Sequence, residues 1–145
     1  MPIKDPLRLD EQLCFVLYST SLAMTKVYKP LLEEIGLTYP QYLVMLVLWE
    51  REGITVKALA DALYQESGSL TPVLKRMEAD GLLLRLRVAG DDRSLALTLT
   101  PEGRKLKLKA VKVNKAIETA CGMASANLVH LRETVRALHA RLVAG

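Results

Sequence analysis

Leu82-Leu83-Leu84-Arg85-Leu86-Arg87-Val88-Ala89-Gly90-Asp91-Asp92-Arg93-Ser94-Leu95-Ala96-Leu97-Thr98-Leu99-Thr100 is the stretch that decides the fold. Leu84, Leu86 and Val88 alternate with Arg85, Arg87 and Ala89. After Gly90-Asp91-Asp92-Arg93 the alternation resumes, with Leu95, Leu97 and Leu99 against Ala96, Thr98 and Thr100. A period of two lines one face of a strand with apolar side chains, and the interruption has turn composition, so the stretch predicts a two-stranded hairpin. The residues before it are helical in pattern. Thr55 caps a short helix over 56–63, Ser67 or Ser69 caps a second that runs to about Ala79, and Gly81 stops it. Two short helices with a tight connection, followed directly by a hairpin, read as a winged helix-turn-helix.

Working outward, Asp10 is the expected N-cap of a helix over 11–34, with Pro30 near its end and Gly36 as its stop. Thr38-Tyr39-Pro40-Gln41 has the spacing of a capping box, with Pro40 in the first turn. The helix it opens, over 40–51, is apolar nearly all round and therefore expected to be buried. Beyond the hairpin, Thr100 caps another helix beginning at Pro101, studded with Lys105, Lys107, Lys109, Lys112 and Lys115. A break near Gly122 precedes a last helix over 125–143, whose apolar stripe is Leu128, Leu131, Val135, Leu138 and Leu142. The expected architecture is mainly α with a small β-hairpin wing. It is one domain over 1–145, with a DNA-binding lobe at 37–100 and dimerisation helices at 1–36 and 101–145. A two-fold homodimer would present two recognition helices to two half-sites of double-stranded DNA.

The chain has 145 residues, 50% of them hydrophobic and only 5% aromatic, and a formal net charge of +4. That length supports a real core, and the mild basic excess is compatible with nucleic-acid binding without establishing it. The first ten residues lack the apolar segment of a leader, and the longest apolar run, Tyr42 to Trp49, is far short of a membrane span. A cytoplasmic location is the expectation, with no membrane partner. There two cysteines are not a structural disulfide by default. His130 and His139, nine residues apart, make no metal-site spacing with them, and no cofactor, metal or catalytic arrangement is expected.

Cys14 stands out. It lies one turn past Asp10, where the helix dipole favours an anion, while Leu13, Phe15 and Leu17 disfavour one. Tyr18, four residues on, shares its face. Most free cysteines are small buried hydrophobes, and that reading has to be weighed beside a reactive one. On the DNA side, Ser67, Ser69 and Thr71 sit near the start of the recognition helix, where hydroxyls and free N–H groups suit phosphates and base edges. Lys75 and Arg76 follow. Arg85 and Arg87 lie on a wing strand, and Arg93 at the wing tip is placed for a minor groove with Asp91 to orient it. A solvated surface charge is the competing reading for each.

Three segments give the chain its resemblance to a known family: Leu9 to Ser19 around Cys14; Tyr28-Lys29-Pro30-Leu31-Leu32 with Gly36 to Leu46; and Ser67 to Glu78. The chain resembles the MarR-family winged-helix regulators, and more narrowly their organic hydroperoxide resistance branch. Asp91-Asp92-Arg93 and Leu99-Thr100 follow the broader family pattern. Gln65-Glu66, before the recognition helix, and Ser94-Leu95-Ala96-Leu97, in the returning strand, depart from the branch and bear on operator preference. The resemblance implies a dimeric repressor that binds DNA when reduced and is released when an organic hydroperoxide oxidises Cys14. It assigns Tyr28 and Tyr39 as hydrogen-bond partners of the thiol. Cys14 and Tyr28 are fourteen residues apart, about 21 Å along one helix, so Tyr28 would serve the thiol of the other subunit. Regulators of this branch with a second cysteine near the C-terminus form an intersubunit disulfide, which points to Cys121, while a helix-end packing cysteine stays open as its other reading. Two further functions compete: a MarR-type repressor released by a small aromatic or anionic ligand, with the cysteines incidental, and a thiol peroxidase, which would leave the winged helix unexplained.

Overall fold

Local signals decide most of the helix boundaries. The computed structural model describes residues 5–88 and 90–145; the side chains of Asp91, Asp92 and Arg93 lie outside that description, and with them the expected Asp91–Arg93 pair and its groove contact. A single 3-10 turn, Leu9–Glu11, precedes helix α1, Leu13–Glu33. The N-cap of α1 is Gln12, whose side chain makes no capping bond, rather than the expected Asp10. The 3-10 turn explains the difference, because it absorbs Asp10 and Glu11 before the helix starts. Cys14 is thereby the second residue of α1, inside the turn whose backbone N–H groups lack intrahelical acceptors.

Helix α2, Tyr39–Glu50, opens on the expected capping box. Thr38 Oγ1 accepts from the Gln41 N–H at 3.4 Å, and the Thr38 N–H donates to Gln41 Oε1 at 3.1 Å. Helix α3, Val56–Ala62, is capped by Thr55 Oγ1 on the Ala58 N–H at 3.1 Å. Helix α4, Ser67–Ala79, is the second helix of the helix-turn-helix, and Gly81, at φ +78°, stops it. Its N-cap is Glu66, again without a side-chain bond, so neither Ser67 nor Ser69 caps it. Both serines are already helical there, and the Thr71 hydroxyl turns back onto the Ser67 carbonyl at 3.2 Å.

The hairpin pairs β1, Leu83–Val88, with β2, Asp91–Leu99, antiparallel. Two features differ from the expectation. The chain reverses at Gly90, and Asp91 already pairs with Val88. The next pair down is Arg87 with Leu95, so Asp92, Arg93 and Ser94 form a bulge on β2 rather than part of the turn. The faces of β1 are also exchanged. Leu83 and Arg85 point inward opposite Leu99 and Leu97, while Leu84 and Leu86 are exposed. Leu83 is fully buried, and the period of two then carries Arg85 to the same side. A carboxylate from α4 compensates that inward charge. On its other edge β2 meets the segment before α3: Gly53 donates to the Leu97 carbonyl at 2.7 Å, and Leu97 to the Ile54 carbonyl at 2.9 Å.

Helix α5, Pro101–Cys121, and helix α6, Ser125–Ala144, complete the chain. Thr100 Oγ1 accepts from the Gly103 N–H at 3.0 Å, as expected of its cap position. The chain divides into two compact units, Met1–Val113 and Asn114–Gly145. The core of the first gathers Leu32, Val44, Met45, Leu48, Leu59, Leu70, Leu74, Met77, Leu83 and Leu97. Each contributes about 1.5–3 kcal/mol by leaving water. By contrast α1 buries only Leu32 and α6 buries nothing, and Leu13, Val16, Leu22, Leu131, Val135 and Leu142 stand exposed. Among the described residues no helix is long and apolar enough to cross a membrane.

Candidate thiol site and nucleic-acid interface

Cys14 is exposed in the first turn of α1, and Tyr18, on the same face, is 68% exposed. Because α1 runs unbroken from Leu13 to Glu33, Tyr28 stays about 21 Å from the thiol of its own chain. Tyr28 instead joins an aromatic cluster with α2. Its ring centroid is 5.1 Å from that of Tyr39 and 5.5 Å from that of Tyr42, and Tyr42 meets Trp49 edge-on at 6.5 Å. Tyr42 is buried, and that burial, with Tyr39 beside it, holds its phenol above the ordinary range. A cavity of about 350 Å³ lies against Tyr39, with Lys26, Lys29 and Thr38 on its walls. Thus the two tyrosines come together and the thiol of the same chain does not join them. Cys121 ends α5 and is half-buried, in the second compact unit.

Ser67, Ser69, Lys75 and Arg76 are exposed on α4, and Arg76 pairs with Asp80 at 3.3 Å. Ser67 and Thr71 share a groove of about 360 Å³ with Thr55, Lys57, Arg85 and Ser94. Arg85 is engaged elsewhere: its guanidinium meets Glu78 at 3.1 Å, and its backbone N–H donates to the same carboxylate at 2.9 Å. Those bonds, the backbone one first, hold the Glu78 carboxyl below its ordinary range. Arg85 therefore ties the hairpin to α4, whereas Arg87 is exposed. His130 is exposed and His139 half-buried, and no cluster of three or more potential metal ligands occurs among the described residues.

A second carboxylate escapes local sequence reading. Glu52, just past α2, accepts from the Leu99 N–H at 2.9 Å, from Thr98 Oγ1 at 3.0 Å and from Arg104 at 3.0 Å. Its partners lie 46 to 52 residues away. The Arg104 guanidinium, then the Leu99 N–H, lowers the Glu52 carboxyl from 4.5 to about 2. A depressed folded-state value means that the stabilisation is complete above pH 4.5 and is lost as pH falls toward 2. The melting temperature of the wild type is therefore expected to fall more steeply between those pH values than that of Glu52→Gln, measured by circular dichroism. Parallel curves would show that this carboxylate contributes nothing. Gly103 has a sequence signal, since a glycine inside a helix is unfavourable and marks a close approach.

The family described as transcriptional regulator SarA/Rot matches residues 26–110. Over 109 residues the chain is 53% identical to the organic hydroperoxide resistance transcriptional regulator of Bacillus subtilis, covering 75% of this chain and 74% of that one. Among solved structures it is similar to AbfR, a protein of Staphylococcus epidermidis. Reduced AbfR bound to DNA matches with a TM-score of 0.77 at 34% identity, over 94% of this chain and 96% of that one. AbfR with its disulfide formed matches with a TM-score of 0.64, also at 34% identity, over 94% and 90%.

Proposed function

Because this chain belongs to the MarR-type winged-helix transcriptional regulators, in their organic hydroperoxide resistance branch, we propose that it is a homodimeric repressor whose grip on operator DNA is switched off by oxidation of Cys14. One observation carries the reading. The exposed thiol and the Tyr28–Tyr39 pair occupy opposite ends of α1, so each end is half a site that a second, antiparallel copy completes. The exposed apolar side chains of α1 and α6 supply the surface such a dimer would bury.

In this reading Tyr28 and Tyr39 of the partner subunit, with Tyr18, orient the Cys14 sulfur by hydrogen bonds. The thiolate attacks the terminal oxygen of an organic hydroperoxide. An S–O bond forms, the O–O bond breaks, and the alkoxide takes a proton and leaves as an alcohol. The sulfenic acid then condenses with the thiol of Cys121 of the partner subunit, forming S–S as water leaves. DNA contacts fall to Ser67, Ser69, Thr71, Lys75 and Arg76 in the major groove and to Arg87, Asp91 and Arg93 of the wing, with Arg85 acting through Glu78. Turnover is not part of the role; the chemistry is a switch.

The test is one equivalent of cumene hydroperoxide followed by a non-reducing gel and intact mass. A covalent dimer that disappears with Cys121→Ser is the expected result. A monomer carrying one added oxygen would leave the thiol switch standing and remove Cys121 from it. An unchanged mass would favour the second reading, release by a small aromatic or anionic ligand. The cavity beside Tyr39, lined by Lys26, Lys29 and Glu33 with Leu32 and Leu37, is the observation that favours that reading.

A further inference from the structure

We propose that Trp49 is the positioning residue that couples the tyrosine cluster to the foot of the wing. The inference rests on the thiol-switch reading above and concerns how that switch reaches DNA. Helix α2 carries Tyr39 at its first residue and Trp49 near its last, about 15 Å apart along the axis. At the first end Tyr39 and Tyr42 both pack on Tyr28. At the other end the Trp49 indole N–H donates to the Gly103 carbonyl at 2.9 Å, in the first turn of α5.

That turn has no freedom of its own. A Cβ on Gly103 would lie 2.2 Å from the Leu82 carbonyl oxygen, so the turn rests directly on the backbone that starts β1. The Thr100 hydroxyl donates to the Gly81 carbonyl at 2.6 Å and the Thr100 N–H to the Leu82 carbonyl at 3.1 Å. Glu52 joins Thr98, Leu99 and Arg104. The feet of both wing strands and the start of α5 therefore form one block. The C-terminal end of α2 is fastened to that block at two points, Trp49 inside the helix and Glu52 just past it.

Only one of the two points also touches the cluster. Trp49 packs edge-on against Tyr42, whose ring packs on Tyr28, whereas the bonds of Glu52 are confined to the block. Tyr42 is 2% exposed, and a close-packed ring cannot shift without moving its neighbours. A change of Tyr28 on oxidation of the partnered thiol therefore passes through Tyr42 to Trp49, and through its N–H to the carbonyl under the wing.

Trp49→Phe keeps an aromatic ring and removes the donor. Three outcomes are expected of it. Cys14 is oxidised at the wild-type rate by intact mass. Reduced protein binds operator within about threefold of wild type, and the loss of affinity on peroxide treatment shrinks by about tenfold or more. Full wild-type release by this variant would overturn the proposal. A second measurement covers a variant that fails to fold: Trp49 is the sole tryptophan, so emission of DNA-free wild type reports its surroundings. The expected result is a shift on oxidation that Cys14→Ser lacks, and an unchanged spectrum in protein proven oxidised by mass overturns the coupling. Failure of the switch itself is distinguishable, because Cys14→Ser would then be released by peroxide, and the role of Trp49 would fall with it.

Discussion

Cys14→Ser is expected to hold operator DNA as reduced wild type does, within about threefold, and to stay bound after peroxide, where wild type loses roughly 100- to 1,000-fold in affinity. The hydroxyl fits where the thiol sits, because Cys14 is exposed in the first turn of α1 and fills no void in the core of its own chain. In the proposed switch it would accept the same hydrogen bonds and give no sulfenic acid, so only the switching is expected to be lost. Fluorescence anisotropy with labelled operator, before and after one equivalent of hydroperoxide, measures both quantities. Release of the serine protein by peroxide would transfer the sensing role away from Cys14.

The other large effect is on stability. Gly103→Ala puts a methyl 2.2 Å from the Leu82 carbonyl oxygen and 3.3 Å from Leu99 Cδ2. The first of these atoms is backbone at the root of β1, so no rotamer change relieves the contact. The expected cost is about 3 kcal/mol, at the upper end for overpacking, read as a lower denaturation midpoint at equal protein concentration. Gly68→Ala in α4 is the control. Nothing lies within 4 Å of a Cβ there, and alanine in a helix is favoured by up to about 1 kcal/mol. The same substitution thus changes sign between two helices of one chain. Equal effects at both positions would show that Gly103 is not under steric compulsion.

What could be read from the sequence was mostly what is decided within four residues. Thr38 with Gln41, Thr55 before α3, Thr100 with Gly103 and the break at Gly122 are local, and the structure has them where spacing put them. The alternation of residues 82–100 identified the hairpin but not its faces. Counting leucines favoured Leu84 and Leu86 inside, whereas Glu78 of α4 decides for Arg85 by offering it a carboxylate. Local propensity also favoured Asp10, and Ser67 or Ser69, as caps; a 3-10 turn takes up Asp10 in one case, and the extended Glu66 is already the N-cap in the other. The Glu52 anchor joins residues as much as 52 apart and leaves no periodic trace. At the thiol the residues alone left an inert and a reactive cysteine both open. The tyrosine partners came from resemblance, and the cluster of Tyr28 with Tyr39 and Tyr42 became visible only with α1 packed on α2.

The bond from the Arg85 backbone to Glu78 has a consequence beyond holding the wing. Leu97, opposite Arg85, spends its own N–H and carbonyl on Ile54 and Gly53, so the β2 side of the ribbon is already occupied. The β1 side is the remaining rim onto which a foreign strand could zip, with Leu84 and Leu86 exposed beside it. There the outward N–H of Arg85 is already held by a carboxylate. An incoming strand would have to displace a charged acceptor and leave it unsatisfied, a common protection against amyloid-like growth from sheet margins. Strand addition at that rim thus carries the cost of breaking a charge-assisted bond to Glu78.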